Sequence, residues 1–564
     1  MTKHHEPQPL HRRRRTRLAG VAVAGVAALL LAGCTAADDT AEPVAAEGGS
    51  IVIGAEQEPD CADWLGICGG SIWGAYMMKV TTIPMAFNVR EGEDGWEPVA
   101  SDLLAAEPVA ETSGDGQTIT YEINPEAVWS DGTPITSADF AYTAAQVRDG
   151  EDILDKTGYT LITDVETPDE QTAIVHLSSP FAGWKTLFGN SYGVLPAHLL
   201  EGQDRNAVMK DGYDFSGGPW LIDSWEKGVG VTLVPNENYW GEQPKLDKVT
   251  FQFITDTAAA FQAMKSGQVD ALYPTPQLDA IGQIDAGVPN TEVQVSSDTG
   301  NLEAFWINNA AFPFDSEAVR KAFAYGVDRA AIVDRIYGPL GVEEPAQSFI
   351  SPLVGAWGSD DFDQYSLDPD EVASLMEGDG WTRDGDGLWE KDGQTASFSV
   401  HTLAGNARRD LMVQVLQSQL GEVGFEVSVV TTTPAEMFGE IAPAGDFQVG
   451  LWTLVDYFPD PALSASFSST SIPTEANGFS GINFVRANVP GLDAQLSAVD
   501  TEIDPDARLD ASLQAETLIA DAMVSLPITS VPNILMWSTG LTGPISNNPG
   551  EGPWWNLQEW AVAG

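Results

Sequence analysis

Residues 18–33 are sixteen consecutive apolar residues, and they follow a basic stretch made of Lys3, Arg12, Arg13, Arg14, Arg15 and Arg17. The run is too short to cross a bilayer comfortably and has the length of an export-signal core. No later apolar stretch approaches 18 residues. The remaining chain must therefore build a soluble body outside the cytoplasm, where its cysteines can oxidise.

The apolar run ends in Leu31-Ala32-Gly33-Cys34. This tetrapeptide resembles the bacterial lipobox, in which the chain is cleaved before the Cys and the Cys is acylated; the alternative is an ordinary signal peptide with a chance Cys. Two or more acyl chains anchor stably where one does not. The arginine run also loosely resembles a twin-arginine signal, which leaves the export route open. Residues 34–50, rich in Ala, Asp, Glu and Gly, read as an acidic flexible tether. With Cys34 lipidated, Cys61 and Cys68 remain and are expected to form a disulfide. A metal or redox pair is the alternative, but it has no nearby His and neither a thioredoxin nor a zinc spacing.

The whole chain has 564 residues with 82 acidic and 27 basic side chains, a formal charge of −55. Removing residues 1–33 deepens this to −60. Such a charge disfavours nucleic acid and anionic membrane as partners, so membrane contact is expected through the lipid anchor only. Hydrophobic residues still make up 43% and charged ones only 19%, so the imbalance comes from scarce Lys and Arg and the body is globular. The length implies two to four domains.

Strand-length segments bounded by Gly, Pro, Asn and Asp begin at Ile51 and recur through "GVTLVPNENYW", "KVTFQFI" and "FEVSVVTTT". Helical spacing is clearest over residues 316–336, with Asp315 or Ser316 able to cap the start and Asp328 a second helix after a bend. Further helices are expected over 407–423 and 507–523. The class is mixed α/β in several lobes, with no internal repeat.

Catalytic motifs find little support. Gly189-Asn190-Ser191-Tyr192-Gly193 matches the serine-hydrolase G-x-S-x-G, but a helix-like segment precedes it and an extended one follows, the reverse of a nucleophile elbow. Asp384-Gly385-Asp386-Gly387 hints at a calcium loop, yet Leu388 holds the third ligand position, and Asp-Gly hairpin turns explain the stretch better. Phosphate-loop and dinucleotide fingerprints are absent from the sequence, and no cofactor or metal is expected.

Four separated blocks carry a family resemblance. "YEINPEAVWSDGTPITSADFAYTAAQV" combines a strand, an Asp131-Gly132 turn and a capping box of Thr136 and Asp139. "FSGGPWLIDSWEKGVGVTLVPNENYWG", "AVRKAFAYGVDRAAIV" and "LWTLVDYFPDPALSASFSS" follow in order. Together they resemble the family 5 extracellular solute-binding proteins of ABC importers, the oligopeptide and dipeptide group, over essentially all of residues 51–560.

The resemblance implies a three-lobed, type II periplasmic-binding-protein architecture. Lobe I would comprise 51–88, 199–298 and 526–564; lobe II would be inserted as 89–198, and lobe III would span 299–525. A solute would be engulfed between lobes I and III and delivered to an ABC permease with its cytoplasmic ATPases, by a monomer on the outer face of the cytoplasmic membrane. Trp129, Asp131 and Arg320 would serve folding. Asp456, in "VDYFPDP", would pair with a peptide's α-ammonium, although its spacing from Trp452 is one residue longer than usual and Asp460 lies nearby. Tyr457 and Trp452 flank it. Gly69, Gly70 and Ser71 would offer backbone groups to an extended ligand, and Trp73, Phe305 and Trp306, with Asn308 following, would supply walls. An oligosaccharide or other small solute is the alternative ligand. A membrane-anchored hydrolase using Ser191 and a signalling receptor are the competing classes.

Overall fold

The structure, a computed structural model, describes residues 48–564 apart from 70, 93–94, 154–155, 456–459, 461–462 and 480. The expected signal, Cys34, most of the tether, Gly70, Asp456 and Tyr457 lie outside the described residues.

Ser50–Ala55 alternates so that Ile51 and Ile53 are buried, and it pairs in parallel with Lys248–Phe253 and with Ala271–Leu272. Burying each Ile contributes roughly 2 kcal/mol. These three strands form the middle of a seven-stranded sheet. Gly230–Pro235 and Trp220–Glu226 add antiparallel on one side; Asn533–Ser538 and Thr291–Ser296 close the other. Helix Thr257–Ser266 packs Phe261 and Met264 against this sheet. Asp256 caps it through Ala259 N (2.8 Å), and Gly267 ends it at a positive φ of 69°, where a side chain is disfavoured.

The block around Trp129 folds as its local chemistry dictates. Asp131 Oδ1 accepts from Thr133 N at 2.8 Å, and Gly132 takes φ 84°. The Asp139 carboxylate accepts from Thr136 N and Ala197 N (both 2.7 Å), so the capping box also ties helix Ser137–Asp149 to a distant segment. That helix covers a four-stranded antiparallel sheet of Val109–Ser113, Gly116–Glu122, Thr172–Leu177 and Ile162–Asp169. Its residues share one core with the seven-stranded sheet.

A second large core surrounds a five-stranded sheet ordered Glu426–Thr432, Ser397–Leu403, Val449–Val455, Asn301–Ile307 and Leu526–Ser530. Helices Glu317–Tyr325, Arg329–Tyr337, Ala407–Glu422 and Pro505–Asp521 contribute to it. The expected bend falls at Asp328, whose carboxylate accepts from Ala331 N (2.9 Å). Ser316 occupies the N-cap position of the first helix, but its side chain makes no capping bond to the helix. Arg320 is buried and donates to the carbonyls of Phe314, Ala522 and Met523, a folding role.

The chain crosses between the seven-stranded and five-stranded bodies after Thr291–Ser296 and again before Asn533–Ser538. The two crossings are tied together: Thr299 Oγ1 donates to Val531 O (2.9 Å), and Val531 N to Asn301 O (2.7 Å).

Candidate functional site

Cys61 and Cys68 are disulfide-bonded with a Cα–Cα distance of 5.6 Å. The loop they close is anchored by Asp63, which is fully buried and accepts from Arg205 (2.9 and 3.0 Å) and Asn206 (3.1 Å). Gly69 N donates to Gly66 O (2.9 Å), and a Cβ there would come within 2.2 Å of the Asp63 carbonyl, so the close approach requires glycine. Ser71 then caps a helical run over residues 72–82. Its middle, Ala75–Lys79, is a wide π turn, a feature that recurs where a helix face is put to use.

One stripe of this run, Ile72, Ala75, Tyr76, Lys79 and Val80, faces a cavity of about 590 Å³. The i, i+3, i+4, i+7, i+8 spacing is that of a single helix face. Lys79 is largely buried, and its ammonium donates to the carbonyls of Asn190 and of Ser191, the latter at 3.1 Å. Asn190 in turn donates to Gly550 O. Residues 189–193 form a turn, with Gly193 N donating to Gly189 O (2.8 Å), and neither a strand before Ser191 nor a helix directly after it is present. The cavity that Ser191 lines has no His among its lining residues.

The opposite wall comes from the other body: Asp460, Ser464, Ala465, Asp500 and Thr501. Asp460 forms an ion pair with Arg508, whose Nε donates to Val499 O (2.7 Å) and whose guanidinium lies 5.3 Å from the Trp357 ring centroid. Ser464 Oγ donates to Asp500 Oδ2 at 2.6 Å. Burial, reinforced by the Asp460 charge, holds the Asp500 carboxyl above its ordinary range against the pull of Ser464 and Arg508. Tyr76, Phe87, Tyr159, Phe181 and Tyr192 give the cavity aromatic surface. Two further cavities, of about 580 Å³ beside the crossing strands and about 530 Å³ between the bodies, are also lined by Asp460. The main cavity thus offers polar and charged groups on both walls beside its aromatic surface.

The residues expected from sequence are placed as follows. Trp306 and Trp452 come together, stacked at 5.7 Å and 8°, with Trp306 Nε1 donating to Trp452 O (2.8 Å). Both are buried in the second core, where Gly450 makes room for the Trp452 ring. Phe305 is fully buried, and buried Asn308 donates to the carbonyls of Gly445 and Phe447 (both 2.9 Å). Trp73 is buried against Tyr273 on the inner side of its helix. None of Gly69, Ser71, Trp73, Phe305, Trp306, Asn308 and Trp452 lines the three cavities. The physical reason is packing: each is taken up by a core or a backbone partner. Tyr76, Lys79, Phe181 and Asp500 line the main cavity and were not among the residues expected from sequence. For Tyr76 and Lys79 the helical stripe with one basic residue was a usable signal.

The Asp384 carboxylate accepts from the backbone N of Asp386 and of Leu388 (both 2.9 Å), which makes the Asp-Gly stretch a hairpin turn between Thr382–Arg383 and Trp389–Lys391. Among the described residues no helix is long and apolar enough to cross a membrane.

Comparison with known proteins supplies the lineage. The chain is 26% identical over 497 residues to the oligopeptide-binding protein OppA of Mycobacterium tuberculosis (strain ATCC 25618 / H37Rv), covering 86% of this chain and 80% of that protein. In fold it is similar to the periplasmic EDTA-binding protein EppA, with a TM-score of 0.79, 23% identity and coverage of 92% and 97%. It is also similar to the oligopeptide-binding protein AppA of Bacillus subtilis in complex with a nonapeptide, with a TM-score of 0.71, 20% identity and coverage of 92% and 100%. Residues 100–474 match the model of bacterial extracellular solute-binding proteins, family 5 (Middle). The chain belongs to the bacterial extracellular solute-binding proteins of family 5.

Proposed function

We propose that this protein is the extracytoplasmic receptor of an ABC importer, capturing a peptide between its two bodies and presenting it to the permease. The observation that carries the reading is the cavity of about 590 Å³ whose walls come from both bodies, with Lys79 on one side and Asp460 and Asp500 on the other. A peptide brings carboxylate, ammonium and main-chain polar groups, which match such a cavity through charge-assisted hydrogen bonds. The OppA relative is named an oligopeptide-binding protein, which supports the same solute class.

In this reading lobe I carries the seven-stranded sheet, lobe II the inserted four-stranded sheet and lobe III the five-stranded sheet; lobe I then resumes after Ser530 rather than at residue 526 as expected from sequence, because Leu526–Ser530 pairs with Asn301–Ile307. Asp456 and Tyr457 stay ligand-binding residues, since Asp460, three positions beyond Tyr457, borders all three cavities. Gly70 is kept as a ligand-binding residue. Cys34 is the lipidated residue of a monomer tethered to the outer face of the membrane, and the protein is a carrier rather than an enzyme. The aromatic surface of the cavity favours a second reading, an oligosaccharide bound in the same transport role. Calorimetric titration separates the two: saturable heat with tri- to pentapeptides supports the first, and heat with oligosaccharides alone replaces it with the second.

A further inference from the structure

We propose that the turn over residues 181–184 and the group formed by Asp460, Asp500 and Arg508 are a latch that holds the two bodies closed, with Gly183 as the residue that permits it. The inference rests on the two-body capture reading and adds the parts that hold the captured state. The covalent connections between the seven-stranded and five-stranded bodies run through the two crossings tied by Thr299 and Val531, so other contacts across the cleft can separate by rotation there.

Across that cleft Ala182 N, beside the four-stranded sheet, donates to Asp500 O on helix Leu492–Thr501 at 3.0 Å. The next residue approaches more closely still. A Cβ on Gly183 would sit 2.0 Å from Asp460 Oδ2. Gly183 has φ −76° and ψ 19°, a conformation open to any residue, so the turn itself does not require glycine. What excludes a side chain is the carboxylate in front of it. Asp460 cannot swing away freely, because it is paired with an Arg508 only 12% exposed, which is itself fixed by Val499 O and Trp357.

A second close approach lies on the same front. A Cβ on Gly95 would come 2.5 Å from Leu353 O of the opposing body, and both glycines line the cavity of about 530 Å³. Phe181 and Asp500 also line the main cavity, so the latch contact forms part of the wall that a solute would touch. Closing the latch and enclosing the solute are then one event. Apparent affinity scales with the fraction of molecules able to close.

The test is amide hydrogen exchange, followed by mass spectrometry, on the full-length protein as purified with any solute it retains. The Ala182 amide is expected to be protected in the wild type, and in Gly183→Val to exchange at least about tenfold faster, while amides of strand Thr172–Leu177 keep their protection. Arg508→Gln, which leaves Gly183 untouched, is expected to free the same amide. If Gly183→Val also unprotects the strand, the decision passes to Arg508→Gln. An Ala182 amide that is unprotected in the wild type, or equally protected in the variants, overturns the latch. Loss of protection in the variants without any peptide binding by the wild type leaves the latch standing and overturns the peptide reading instead.

Discussion

Replacing Glu303 by Gln tests how the second body is held together beneath the cleft. Glu303 is fully buried on strand Asn301–Ile307 and accepts from both Arg408 and Arg409, which are 4% and 8% exposed. Arg409 also donates to Thr453 Oγ1 (2.8 Å), and Arg408 to the Tyr337 hydroxyl. The substitution keeps one carbonyl acceptor but leaves two buried guanidiniums facing neutral partners. Breaking a buried ion pair costs about 3–5 kcal/mol, and the retained acceptor puts this change near the lower end, about 3 kcal/mol. For a body of about 230 residues each kcal/mol moves Tm by roughly 2–4 °C, so a fall of roughly 6–12 °C is expected. Differential scanning calorimetry should show it in the transition of the five-stranded body alone.

The pH dependence of the same pair follows from its sign. Burial acts to raise the Glu303 carboxyl, but Arg408 and Arg409 outweigh it and hold the folded value below the unfolded one. The carboxylate's contribution is then complete above the unfolded value, about 4.3, and disappears as pH falls through the folded value. The gap in Tm between wild type and Glu303→Gln should narrow on acidification. A shift under about 1 °C at neutral pH, or a gap that widens in acid, would refute the reasoning.

Three further sites give testable outcomes. Asp500→Asn should weaken peptide binding about tenfold to hundredfold by calorimetry, the range of one hydrogen bond to a charged group. Because burial raises Asp500 in the folded protein, its charged form costs stability as pH rises through that value, so the same variant should be more thermostable than wild type at neutral pH. Cys61→Ser with Cys68→Ser opens a loop of sequence separation 7 and should cost about 2.5 kcal/mol on denaturant unfolding. At Ser191 a fluorophosphonate probe should form no adduct in the wild type.

The parts of the fold that sequence made legible are those set by local chemistry. The strand at Ser50–Ala55, the Asp131-Gly132 turn with its Thr136 and Asp139 box, and the break at Asp328 each follow from a few neighbouring residues. The cleft was less legible. Strand Asn301–Ile307 is buried on both faces, so alternation cannot say whether Phe305 or Trp306 meets a pocket or a core. The aromatic pair Trp306 and Trp452 belongs to that core. The residues that meet across the cleft, Gly183, Asp460, Asp500 and Arg508, are brought together from three remote stretches of chain; Asp460 stands in the VDYFPDP block, but no local pattern marks the other three. The helical stripe of Tyr76 and Lys79 was readable from its period, but the buried side of the same helix, with Trp73, carries the more conspicuous aromatic.

The most direct test of capture between the two bodies is native mass spectrometry of the protein as purified, followed by denaturing analysis of what it releases. A protein mass increased by a bound solute is expected, with release of peptides on denaturation and loss of the adduct in Gly183→Val. A protein that carries no peptide, and gains none when incubated with a tri- to pentapeptide mixture, contradicts it.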